Sequence, residues 1–276
     1  MQRTYPQGVT SWVDIEQDDV EAATAFYGAV LGWTFHDATP PQTPARYVVA
    51  QVEGRDAAGI GGPRTPTGSP GDPSWQTYVA VDDVAATLRR VEEVGATVTA
   101  GPTVAGEGGT WAAFTDPQGA RLRLWQPRRR LGAQITNAPG TWNFSDLRTT
   151  DPAAAQDLYG RLFGWEFTDL GFATMIRVPG YGDHLAATVD PGIHERQDDV
   201  SAPPGFADAI GWITPTDGPA TWHVTFSVED RDATAEAVER HGGTVLGSEV
   251  NDWTRAVTVR DPQGAELTLS QFVPPT

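Results

Sequence analysis

The chain is written twice, and nothing else constrains its fold as much. The string AFYGAVLGWTF (25–35) returns as DLYGRLFGWEF (157–167), with five of eleven positions identical. WQTYVAVDDVAATLRRVEEVGATV (75–98) returns without a gap as WHVTFSVEDRDATAEAVERHGGTV (222–245). FTDPQGARLRLWQ (114–126) returns as VRDPQGAELTLSQ (259–271), with DPQGA unchanged. Three blocks in one order mean two copies of one domain. A residue shared by twin positions is one the fold asks for, and a difference marks a site gained or lost.

At 276 residues each copy is long enough to bury its own core. No apolar run is long enough to span a bilayer, and MQRTYPQGVTSWVDI has no signal-peptide pattern, so a cytoplasmic protein without a membrane partner is expected. The absence of cysteine excludes disulfides, thiolate ligands and thiol nucleophiles. The formal net charge is −17, and all 19 basic residues are arginine. Such a surface repels phosphate backbones, so no nucleic-acid partner is expected. The basic run Arg128–Arg130 reads as solvated linker.

Within the first copy, SWVDIE alternates as a strand does, and Asp18 or Asp19 can cap a helix carrying Val20, Ala23, Phe26, Tyr27, Val30 and Leu31. WTF, RYVVAQV and AAGIGG follow as extended segments. The pattern restarts with YVAV, a helix capped by Asp83, and the strands TVTAG, TWAAFTD and ARLRLWQ, with Pro117–Gln118–Gly119 as a turn. The fold class is α+β: a tandem duplication of paired βαβββ modules, four in all. The domain boundaries read as 1–127, a linker at 128–139, and 140–276. The second copy carries a net insertion within 179–212, a Pro/Gly-rich stretch that reads either as a lid or interface loop or as surface elaboration.

Four such modules, with FYxxxLGW-like strings after the first strand and DPxG before the last, resemble the vicinal oxygen chelate superfamily. That group includes glyoxalase I, extradiol dioxygenases and bleomycin-sequestering proteins. The tandem form resembles its two-domain actinobacterial hydroxylase-like or antigen branch. The resemblance implies cups formed by curled sheets, with metal ligands at fixed points on the concave face. Those points fall on Trp12, Gln76 and Arg123 in the first copy, and on Phe144, His223 and Thr268 in the second. Trp and Phe offer no lone pair, and Arg brings positive charge where a carboxylate should neutralise the metal. No cofactor is therefore expected. A divalent ion at His223 is the alternative.

Period-two alternation assigns further residues to the same faces. In the first copy these are Asp14, Glu16, Tyr78, Arg121 and Trp125. In the second they are Asp146, Arg148, Thr225, Ser227, Glu266 and Ser270. Asp14 and Glu16 with Arg121 and Arg123 read as mutually satisfying charges, or as the polar part of a ligand pocket. His223 with Asp146 or Glu266 reads as a candidate acid/base pair, or as a structural histidine. His184, His194 and Glu195 lie on the insertion, and HERQ there reads as a polar helical turn. The twins Trp33/Trp165, Trp75/Trp222 and Trp111/Trp253 read as fold residues. Trp12, Trp125, Trp142 and Trp212 read as candidates for stacking on a ligand.

Two functions follow as expectations. One is a metal-independent protein that binds a secondary metabolite or antibiotic-like small molecule. The other is a natural-product-tailoring or glyoxalase-type enzyme, of lyase, isomerase, cyclase or hydroxylase type, using the second copy. Either would act as monomer or homodimer.

Overall fold

Local sequence sets the helix ends identically in the two copies. In the computed structural model, which describes residues 3–39, 43–68, 73–199 and 202–273, Asp19 caps the first helix by accepting the Ala22 amide. Gly32 ends it in the left-handed region at φ 71°, which a glycine enters without strain. Asp151 and Gly164 do the same for the twin helix, at φ 75° for the glycine, with Pro152 at its first turn.

The first half runs β1 (Thr10–Glu16), α1 (Val20–Leu31), β2 (Thr34–Asp37), β3 (Ala45–Val52), β4 (Arg55–Pro63), β5 (Gln76–Ala80), α2 (Val84–Glu93), β6 (Thr97–Ala105), β7 (Gly109–Thr115) and β8 (Arg121–Pro127). The second runs β9 (Trp142–Thr149), α3 (Pro152–Phe163), β10 (Glu166–Asp169), β11 (Thr174–Arg177), α4 (Tyr181–Thr188), α5 (Ile193–Asp199), a 3-10 turn (Phe206–Asp208), β12 (Ala209–Pro215), β13 (Thr221–Ser227), α6 (Arg231–Arg240), β14 (Thr244–Val250), β15 (Thr254–Arg260) and β16 (Glu266–Phe272). Each half gives one eight-stranded mixed sheet. The strand orders are β2-β3-β4-β1-β5-β8-β7-β6 and β10-β11-β12-β9-β13-β16-β15-β14. The βαβββ reading holds in all four modules, and the class is α+β.

Sheets and compact units divide the chain differently. One unit comprises Met1–Ser11, Thr77–Gly132 and Phe144–Trp222; the other comprises Trp12–Gln76, Ala133–Asn143 and His223–Thr276. The second module thus packs with the third, and the first with the fourth. Each unit has its own apolar core. Val79, Leu122, Leu124, Leu147, Leu162 and Trp222 lie in one, and Val13, Ile15, Phe26, Trp33, Val224 and Leu269 in the other.

The motifs that repeat in the sequence are the hinge points of this exchange. The Tyr27 hydroxyl donates to the Asp261 carboxylate at 2.8 Å, and that of Tyr159 donates to Asp116 at 2.9 Å. The Tyr-Gly helix of each copy is therefore bonded to the DPQG turn of the other. The glutamine of that turn does the same. Gln263 bonds the backbone N–H and C=O of Asp19, and Gln118 bonds those of Asp151. The aspartate Oδ1 meanwhile accepts two amides of its own turn, Gln118 and Ala120 in one case, Gln263 and Ala265 in the other. Burial pushes both tyrosine phenols well above their ordinary range. Trp33 and Trp165, read as fold residues, stack on these tyrosines at 5.4 and 5.2 Å. Trp75 and Trp222 meet them edge-on at 5.5 and 5.6 Å. Trp142, a stacking candidate in the sequence, is instead 3 % exposed and belongs to the core.

Among its described residues the insertion carries two short helices. Tyr181, Leu185 and Ile193 at apolar spacing bury themselves in the core of their unit, so the segment packs as α4 and α5. HERQ is helical, as its polarity suggested. Among the described residues no helix is long and apolar enough to cross a membrane.

Candidate functional site

Each module contributes one cluster at the positions the sequence singled out. In the first module, Trp12 Nε1 donates to the Tyr47 hydroxyl at 3.0 Å, which donates to Asp14 Oδ2 at 3.1 Å. Asp14 is buried and Glu16 exposed. The parallel register pairs Asp14 with Gly59, where a Cβ would stand 2.1 Å from the Tyr47 oxygen. Gly59 is the condition for Tyr47 to lie here. The sequence reading missed both, although Tyr47 alternates outward in RYVVAQV. Gln76 donates to the Ser74 carbonyl at 3.0 Å.

In the second module, Arg123 is a clamped cation. Its Nη1 donates to the Tyr78 hydroxyl at 2.7 Å, and its guanidinium lies 5.5 Å from the Tyr78 ring centre and 5.2 Å from that of Trp111. Trp125 packs edge-on against Tyr78 at 6.3 Å and donates its indole N–H to the Arg130 carbonyl. Arg121 is exposed at the start of β8. Trp111 pairs with Trp125 across β7–β8, and the equivalent pair in the second copy is Ala256 with Ser270. Trp111 is therefore not the twin of Trp253. It joins the site side of the comparison.

In the third module the same face is aromatic. Phe144 meets Trp212 at 5.9 Å and Phe206 at 6.3 Å; Trp212 meets Phe206 at 6.1 Å and Phe172 at 6.3 Å. Asp146 pairs in register with Trp212 and Arg148 with Thr214. Phe172 and Phe206, in a turn and on the insertion, escaped the sequence reading because neither lies on a periodic element.

In the fourth module, buried His223 is hydrogen-bonded through Nε2 to Thr268 Oγ1 at 2.8 Å. Thr268 in turn lies 3.4 Å from Thr258 Oγ1 and pairs in register with Thr225. The Glu266 carboxylate accepts two bonds from Arg260, at 2.7 and 3.2 Å, and is half-exposed. The histidines of the insertion are placed elsewhere. His184 bonds Thr4 Oγ1 at 2.9 Å and stacks on Tyr181; His194 pairs with Asp183 at 3.1 Å in solvent. Arg3 reinforces the same contact by donating to the Tyr181 hydroxyl.

The divalent metal implied by the fold family does not suit these donors. At the implied positions the Trp12 nitrogen carries a hydrogen already donated to Tyr47, Phe144 has no donor atom, and Arg123 is a cation held between two rings. Gln76, His223 and Thr268 remain, too few for a divalent site: Gln76 donates to the Ser74 carbonyl, and the other two are bonded to each other. Among the described residues no three His, Cys, Asp or Glu side chains gather.

Comparison with known proteins agrees with the fold. Residues 11–124 match the family model described as Glyoxalase/Bleomycin resistance protein/Dioxygenase superfamily, and residues 144–270 match that of a glyoxalase-like domain. CFP32 of Mycobacterium tuberculosis, a protein named after glyoxylase activity, is 32% identical over 98% of this chain and 97% of its own. The anthracycline biosynthesis protein DnrV of Streptomyces peucetius is 28% identical, over 97% of this chain and 94% of its own. Among solved structures, the 2,3-dioxygenase LapB from Pseudomonas sp. KL28 aligns at a TM-score of 0.61 with 14% identity, covering 98% of this chain and 95% of that one. The Mn(II)-bound glyoxalase from Novosphingobium aromaticivorans aligns at 0.58 with 16% identity, covering 99% and 85%. At that identity they attest the architecture alone. The chain belongs to the glyoxalase/bleomycin resistance protein/dioxygenase superfamily.

Proposed function

We propose that this protein binds an aromatic, oxygen-bearing small molecule of the antibiotic or secondary-metabolite kind, without a bound metal ion. Arg123 carries the reading. A guanidinium fixed by the Tyr78 hydroxyl and flanked by the rings of Tyr78 and Trp111 keeps its charge at any working pH. It stands where the fold family implies a metal ligand. It can take a carboxylate or phenolate by paired, charge-assisted bonds while the rings face an aromatic body. The likeness to an anthracycline biosynthesis protein supports a ligand of this class.

The test is calorimetric titration with 1-hydroxy-2-naphthoate in excess EDTA. Saturable binding is expected, weakened about tenfold or more by Arg123→Gln, since a charged hydrogen bond contributes about 1.5–3 kcal/mol. Binding that requires a divalent ion, or that ignores the substitution, defeats the reading.

Buried His223, bonded to Thr268, supports a second reading: an enzyme of lyase, isomerase, cyclase or hydroxylase type with His223 as acid or base. Glu266, engaged by Arg260, contributes less to it. Turnover abolished by His223→Ala and changing between about pH 5 and 8 would support this enzyme. A His223→Ala protein as active as the parent would exclude it.

A further inference from the structure

We infer that the four rings of the third module form a second binding site, a stacking site for a flat fused-ring aromatic molecule that is uncharged or cationic. It does not rest on Arg123. The rings are Phe144, Phe172, Phe206 and Trp212.

The first support is comparison between the copies. Asp14 pairs with Gly59 and its twin Asp146 pairs with Trp212, so Trp212 stands where the first copy has glycine. Counting back from the paired positions Val48 and Thr174 sets Phe172 opposite Arg46, which in the first copy is tied to Glu21 and Asp37. Phe206 comes from the insertion and has no twin. Three of the four rings thus belong to the second copy alone. The fold does not ask for them, because the first copy builds the same sheet without them.

The second support is their geometry. The four surface rings stay 5.9–6.3 Å apart, tilted by 36–75°. None of these four pairs is stacked face to face. Phe172 is 75% exposed, a large apolar area left in water. A flat ring entering beside Trp212 meets these rings at the 4.5–7 Å spacing of offset or edge-on aromatic pairs.

Charge selects the occupant. Ring faces are the negative side of an aromatic quadrupole, Asp146 is the strand neighbour of Trp212, and the chain carries −17 overall. Arg148 lies farther along, beside Thr214. An anionic ring system is disfavoured, in contrast to the oxygen-rich ligand suited to Arg123.

The test is titration of the full chain with proflavine, a cationic tricycle, read by its own fluorescence in 0.3 M salt. Saturable binding is expected. Phe172→Ser combined with Phe206→Ser should weaken it by about tenfold or more, because two stacking partners are lost. Arg123→Gln should leave it within about twofold, which separates this site from the one proposed above. Phe172→Ser alone removes an exposed ring and leaves the core intact, so a folded variant is assured. Proflavine that fails to saturate, that is displaced by salt alone, or that binds the double variant like the parent overturns the inference. So does a parent that doubles in mass with concentration while Phe172→Ser stays monomeric, for a second copy would then cover the rings.

Discussion

The second and fourth modules are built on the same strands and have opposite chemistry. Where one has Tyr78, Trp111, Arg123 and Trp125, the other has Thr225, Ala256, Thr268 and Ser270, matched by the registers of β7–β8 and β15–β16. The first and third differ as sharply, with Tyr47 over Gly59 in one and Trp212 in the other. Yet the Tyr–Asp and Gln–backbone bonds agree to within 0.3 Å between copies. Duplication has kept whatever joins helix to turn and has changed nearly everything on the other face of the sheets. The two halves are one fold carrying two different surfaces.

The largest effect should come from breaking what the copies share. Asp261 accepts Tyr27, Gln17 and two turn amides, and Asp116 accepts Tyr159 and two turn amides. Asp261→Ala and Asp116→Ala should each cost about 3 kcal/mol, because buried donors lose their acceptor. Urea midpoints measure both. If one substitution were harmless, the equivalence of the two turns would be broken. Asp261 adds a pH signature. Burial raises its folded pKa above the ordinary carboxylate value, so the folded state holds a proton the unfolded state has released. From the unfolded value of about 3.9 up to the folded one, stability falls as pH rises, and Asp261→Asn should flatten that part of the profile.

A middle-sized effect tests the difference. Gly59→Ala places a methyl against the Tyr47 ring and should cost about 1–3 kcal/mol. Adding Tyr47→Ala should recover much of it, since the two changes share one clash. Strict additivity would show that Gly59 is glycine for some other reason.

Most of the fold was legible in the sequence because its signals are local. The capping aspartates, the terminating glycines and the alternation in ARLRLWQ each act within a few residues. The exchange of partners was not legible. DPQG reads as a turn, and nothing local says that Asp116 will meet Tyr159 and Asp261 will meet Tyr27. On the site, Trp12, Arg123, Phe144 and His223 came from the family resemblance, and alternation added their neighbours Asp14, Tyr78, Trp125 and Asp146. It missed Tyr47, whose role depends on a glycine in another strand, and Phe172 and Phe206, which lie on a turn and an insertion where no period exists. Trp111 was misjudged because a tryptophan three residues out of register looked like its twin.

A smaller effect compares Arg123 with its counterpart. Arg123→Gln gives up the Tyr78 hydroxyl bond and the ring contacts at a half-buried place, so it should cost about 1 kcal/mol of stability while reducing affinity for an anionic aromatic ligand about tenfold. Thr268→Val removes the bond to His223 and should leave that affinity unchanged. Equal losses from both would mean that the copies bind one ligand together, and the contrast between them would fail.

The smallest effect separates packing from gating within the insertion. His184 binds Thr4 and stacks on Tyr181, partly out of water, so His184→Ala should cost about 1 kcal/mol. His194 meets Asp183 in solvent, and such pairs contribute about 0.2–1 kcal/mol at most, so His194→Ala should scarcely register. The local readout is sharper than global stability. His184→Ala should speed amide exchange of residues 3–9, which Thr4, Arg3 and Tyr181 hold to α4, and His194→Ala should not. If either substitution instead changed ligand affinity several-fold with the amino-terminal segment still protected, α4 and α5 would be acting on the ligand. The insertion would then be a cover for a binding site, and its buried Tyr181, Leu185 and Ile193 would be the anchor of that cover.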